Sequence, residues 1–179
     1  MDLGPWIRGV SCAMVALLGS PAARADSIQV RAGGTIVGAC TLAVGLAFPA
    51  VSLAVSGNAA ATAMVNCNTG FVIRATSAKG AITSASHTST GFTNTLPYSL
   101  ALTAPLDSGS ISGGPCGSAA LVAGQAGCVL SPAGSGLSSD GRTATGKTAT
   151  LTLSWSLPAQ KLVAGSYSDT ITLSIAAAP

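Results

Sequence analysis

Apolar residues recur at every second position over much of this chain. In Ser27–Val37 the residues Ile28, Val30, Ala32, Gly34 and Ile36 fall on one face, and Gln29, Arg31, Gly33 and Thr35 on the other. That is the period of a half-buried strand. The same alternation returns at Ala61, Ala63, Val65 and Cys67, at Phe71, Ile73 and Ala75, and at Leu96, Tyr98, Leu100 and Leu102. It appears again at Ala149, Leu151, Leu153, Trp155 and Leu157, and last at Ile171, Leu173 and Ile175. Gly and Ser separate these runs, β-branched residues are common and glutamate is missing, so the chain is expected to be all-β. The number of runs suits a β-sandwich.

Three stretches add detail. In the very apolar segment 38–55, Leu42, Val44, Leu46 and Phe48 occupy even positions and Val51, Leu53 and Val55 odd ones, with the phase changing at Pro49. Proline cannot donate to a ladder, so a strand that bends or changes sheet there is expected. Thr41, Ser52, Gly38, Gly45 and Pro49 argue against reading this segment as a membrane span. The Asn68-Thr69-Gly70 stretch reads as the turn of a hairpin joining the runs on either side. Residues 104–146 are rich in Gly and Ser with little periodicity, and predict a long surface excursion.

The leading residues change the compartment. Met1–Arg8 carries one arginine, Gly9–Gly19 is apolar, and Ala23-Arg24-Ala25 closes a small-residue tail. This is the pattern of a secretory signal over residues 1–25, cleaved before Asp26. Cys12 would leave with it, so Cys40, Cys67, Cys116 and Cys128 remain in a compartment that permits oxidation. Four cysteines allow three connectivities, among which sequence proximity favours Cys40 with Cys67 and Cys116 with Cys128. Zinc is the weaker reading, because the cysteines are scattered and His87 stands alone.

Charge and motifs narrow the function. After the leader the cations are Arg31, Arg74, Lys79, Arg142, Lys147 and Lys161, against Asp26, Asp107, Asp140 and Asp169. So thin and scattered a set cannot neutralise a run of phosphates, which makes nucleic acid a poor partner. Gly141–Thr148 matches the phosphate-loop pattern G-x-x-x-x-G-K-[ST] as text. That loop must leave a buried strand and open a helix, whereas here it leads into a strand pattern. No nucleophile elbow is present, and paired carboxylates would have to come from four scattered aspartates. An enzyme is not expected, and no cofactor is implied.

Three stretches together resemble the spore coat protein U domain family, which includes the subunits of archaic chaperone-usher pili. Gly165-Ser-Tyr167-Ser-Asp169-Thr170, continuing through Ile171, Leu173 and Ile175, resembles the C-terminal G-x-Y-x-D-T strand, and Leu157–Gln160 the turn before it. Val65-Asn-Cys67-Asn-Thr-Gly70-Phe-Val-Ile resembles the family's strand, cysteine and turn. Gly38-Ala-Cys40-Thr-Leu, followed by Leu46-Ala-Phe48, resembles its first cysteine strand. The ending Ala176-Ala-Ala-Pro179 and the Cys116–Cys128 excursion depart from the family pattern.

The resemblance implies an immunoglobulin-like sandwich lacking its final strand over residues 38–179, and a Cys40–Cys67 bridge tying the first strand to the second. It also implies residues 26–37 as a donor strand, with Ile28, Val30, Ala32 and Ile36 as inserting side chains and Gly34 where a shallow pocket takes none. The implied partners are a periplasmic chaperone, an outer-membrane usher and neighbouring subunits, and the implied location is a surface fimbrium, in adhesion or biofilm formation. Tyr167 and Asp169 read as structural, the tyrosine bonding back to the backbone at a sandwich corner. The other readings are a monomeric secreted binding module, in which residues 26–37 pair within their own domain, and a spore or envelope coat protein of the same fold.

Overall fold

The structure is a computed structural model that describes residues 34–123, 125 and 127–178. The leader 1–25 and the positions Ile28, Val30 and Ala32 lie outside the described residues. The chain forms β1 (Cys40–Leu46), β2 (Gly57–Cys67), β3 (Phe71–Ser77), β4 (Ile82–Thr83), β5 (Phe92–Thr93) and β6 (Thr95–Leu96). It continues with β7 (Tyr98–Pro105), β8 (Ser110–Gly117), β9 (Leu137–Ser138), β10 (Ala144–Trp155), β11 (Lys161–Leu162) and β12 (Ile171–Ala177). One short 3₁₀ turn, Ser118–Leu121, follows β8.

The fold is all-β. An antiparallel sheet runs in the order β1-β2-β10-β7-β8, and a second antiparallel sheet in the order β12-β3-β9. Two short pairs, β4 with β6 and β5 with β11, complete the strands. Alternation along β2, β3, β7 and β10 sends one face of each strand inward, and these faces meet in one apolar core. Phe71, Ile73, Leu100 and Leu102 are among its fully buried large side chains. Across β10 and β2 the register sets large against small: Leu151 opposes Ala61, Leu153 opposes Ala59 and Trp155 opposes Gly57. Such cross-strand pairs are the unit of sheet stabilisation.

Three expectations are corrected. Residues Asn68–Gly70 do not close a hairpin, because β2 pairs with β1 and β10 while β3 pairs with β12 and β9. They form an arch from one sheet to the other, so that Cys67 and Phe71 both point into the core. Gly70 serves close approach here: a Cβ would lie 2.5 Å from the Ala178 carbonyl oxygen and 2.8 Å from the Gly141 Cα.

The odd-phase run Val51, Leu53, Val55 forms no strand. Pro49 lacks a ladder donor, and the pairing of β1 with β2 stops at Leu46 opposite Thr62, so the chain leaves the edge of β2 there. The segment is fastened instead by the Trp155 indole N–H, which donates to the Val55 carbonyl (2.8 Å), and by the Leu157 N–H on Ser56 Oγ (2.9 Å).

Nor is 104–146 only a surface excursion. It contributes the edge strand β8, and it buries Ile111, Leu121, Leu130 and Leu137 in the core. Gly113, Gly114 and Pro115 interrupt the alternation there; Gly113 leaves room for Val129 and Leu137, whose side chains would stand 3.1 and 3.2 Å from a Cβ. Among the described residues no helix is long and apolar enough to cross a membrane.

Candidate functional site

The five-stranded sheet ends at β1 and the three-stranded sheet at β12, so each of these strands is paired on one side only. Between them lies an open apolar groove of about 750 Å³. Leu42, Val44 and Leu46 of β1 form one wall, and Ile171 and Leu173 of β12 the other. The floor is Ala59, Ala61 and Ala63 of β2 with Leu151, Leu153 and Trp155 of β10. The alanines are the local cause of the groove, since three successive inward positions of β2 carry side chains too small to fill the space above them. Val44 remains 82 % exposed and Leu46 63 %. Asp169 is the one charged side chain in the lining.

The register fixes the directions of the walls. From Cys40, opposite Cys67, β1 runs away from the arch, and β12 runs towards it, ending with Ala177 opposite Phe71. The arch closes that end of the groove: the Asn68 N–H donates to the Ala39 carbonyl (3.2 Å) and the Ala178 N–H to the Gly70 carbonyl (2.8 Å). Disulfides join Cys40 to Cys67 and Cys116 to Cys128. The first ties β1 to β2 at the closed end, and the second ties β8 to the chain beyond the 3₁₀ turn.

Of the residues singled out in the sequence, Gly34 and Ile36 are described, both exposed and outside any strand, with Ile36 at 89 %. Ile171, Leu173 and Ile175 are half-buried at alternate positions of β12, the first two in the groove wall. The Tyr167 hydroxyl donates back to the Val163 carbonyl (2.9 Å), four residues upstream. Gly165 passes close to Ser84 and Ser86, whose hydroxyls would lie 2.7 and 2.5 Å from a Cβ.

Asp169 is a junction. Its Oδ2 accepts from the Ser77 hydroxyl (2.6 Å) and the Tyr98 hydroxyl (2.7 Å), and its Oδ1 from the N–H groups of Lys79 (3.1 Å) and Thr170 (2.7 Å). Burial raises the Tyr98 phenol well above its ordinary pKa; Ser77 opposes that shift and the Asp169 carboxylate adds to it.

The phosphate-loop lookalike runs into β10. Its Lys147 ammonium stands 3.3 Å from Asp107. Asp107 also accepts from the Thr143 hydroxyl (2.7 Å), the Thr145 hydroxyl (3.0 Å) and the Thr145 N–H (3.1 Å).

From the sequence Asn68 reads as a turn residue, Ala61 and Ala63 as strand positions and Asp107 as a scattered charge, none with a role in a site. The alanines carried a signal, small residues at the successive inward positions 59, 61 and 63 of one strand beside Leu151 and Leu153 on another. Asn68 and Asp107 act on groups far along the chain, which periodicity does not disclose. Comparison with family models, with curated proteins and with solved structures gives no match for this chain.

Proposed function

We propose that this chain is a structural subunit of an extracellular fibre, assembled when the leading segment 26–37 of one copy lies as a strand between β1 and β12 of the next. The observation that carries the reading is the groove itself: an apolar channel bounded by two strands that each offer one unpaired edge. An unpaired edge is a template for a further strand. A strand added there would gain main-chain bonds from the edges and place alternate side chains on the floor. The pattern Ile28, Val30, Ala32, Gly34, Ile36 is of that kind. Each Ile or Val fully buried contributes about 1.5–3 kcal/mol, which makes the exchange favourable and slow to reverse.

The resemblance to the spore coat protein U domain family supports the same reading, as an immunoglobulin-like sandwich that lacks its last strand. It brings with it a periplasmic chaperone that holds the groove first, an usher in the outer membrane, and a fimbrium in adhesion or biofilm formation as the product. The test is export of the chain to the periplasm with and without residues 26–37, followed by unheated gels in SDS. Resistant multimers are expected only when the segment is present. Stable monomers from both forms would remove the reading in favour of a monomeric binding module.

A further inference from the structure

A segment that can fill a neighbour's groove can also turn back and fill its own. Folding residues 26–37 along the free edge of their own β1 needs one reversal near Gly38. It brings the same side chains to the same floor without immobilising a second molecule. A tethered segment also competes at an effective concentration in the millimolar range, far above that of free subunits. Assembly between copies therefore requires something in the chain that opposes the reversal.

Residues 37–39 are held straight. The Ala39 N–H donates to Asn68 Oδ1 (2.7 Å), and Asn68 Nδ2 donates to the Val37 carbonyl (3.1 Å). With the Asn68 N–H on the Ala39 carbonyl (3.2 Å), these bonds prolong the β1–β2 ladder beyond the pair Cys40 and Cys67. The side-chain amide stands where the backbone of a longer β2 would be, because at Asn68 the real backbone turns into the arch. Only one orientation of the amide serves both bonds. Gly38 consequently does not adopt the left-handed conformation that a tight hairpin turn uses, and a Cβ on it would lie 3.1 Å from Thr69 Cγ2. The chain passes Asn68 along the line of β1, with Val37 83 % exposed.

We propose that Asn68 is a positioning residue that keeps Val37–Ala39 extended and so commits the leading segment to the groove of a second copy and not to its own. The proposal rests on the strand-exchange reading above. It is tested by exporting the full chain as wild type, Asn68→Ala and Asn68→Asp, and measuring the ratio of SDS-resistant multimer to monomer together with near-ultraviolet circular dichroism. The alanine variant removes both side-chain bonds. The aspartate variant keeps the acceptor for Ala39 but turns an oxygen towards the Val37 carbonyl.

Both variants are expected to stay folded and to lower the ratio roughly tenfold, the monomers now being self-filled, since two hydrogen bonds are lost or opposed. Folded variants with the wild-type ratio would overturn the role of Asn68 while leaving strand exchange intact. Loss of the folded state in both would also overturn it, because Asn68 would then be needed for the fold itself. Absence of multimers from the wild type would overturn the strand-exchange reading, and this proposal with it.

Discussion

At the scale of single residues, Asp169 has the clearest energetic consequence. One carboxylate accepts two hydroxyl protons and two amide protons from the end of β3, from β7 and from the residue before β12. An amide in its place has one oxygen and one NH₂: with the oxygen on the Lys79 and Thr170 N–H groups, the NH₂ faces two hydroxyls that must turn round to accept, and the reverse orientation sets it against two amide donors; in both the charge is lost. Asp169→Asn is therefore expected to cost about 2–3 kcal/mol in urea unfolding with an unchanged slope, as loss of charge-assisted bonds does. The nearby Tyr167 hydroxyl bond to Val163 ties down a different loop and is expected to survive in that variant.

Among the elements, the start of β10 depends on Asp107, which stands in the β7–β8 connection. Thr143, then the Thr145 amide, and also Lys147, hold the Asp107 carboxyl down at about 2. A carboxyl depressed in the folded state contributes stability above its unfolded value of about 4 and loses it as pH falls through its folded value. Melting temperature should accordingly decline between about pH 4 and pH 2, and Asp107→Asn should flatten that part of the curve.

Much at this scale was legible in the chain. The inward positions of β2, β3, β7, β10 and β12 follow the period of two, because each has one face on the core and the other open to solvent. What was not legible depended on partners. Whether Asn68–Gly70 makes a hairpin or an arch is decided by which strands lie beside β2 and β3, and both outcomes satisfy the same local pattern. Val51–Val55 has a strand's alternation, but Pro49 precedes it and the chain has left the edge of β2 at Leu46, opposite Thr62. In β8, Gly113, Gly114 and Pro115 mask a strand that packs through Ile111 and Cys116. The groove was inferred from resemblance alone, although the alanines at 59, 61 and 63 set against Leu151 and Leu153 are its physical cause.

For the whole molecule, the arrangement of the sheets puts the point where the chain leaves and the staple that secures it at the same end. The Cys40–Cys67 bond lies two residues from Gly38 and spans a sequence separation of 27. Seen mechanically, a pull applied through the leading segment meets only the Asn68 bonds to Val37 and Ala39 before it reaches a covalent link. β1 cannot be peeled from β2 strand by strand; the load passes across the bond into β2, which lies between two neighbours. The chain between the two cysteines is thereby kept out of the extensible length. Stretching single molecules from the N-terminal side should show this directly, with reduction of the bond in a Cys116→Ser, Cys128→Ser background lengthening the fully extended chain by roughly 90 Å. On the strand-exchange reading proposed above, a subunit built this way would transmit tension along a fibre as a stiff link, and a reducing environment would turn that link into a spring.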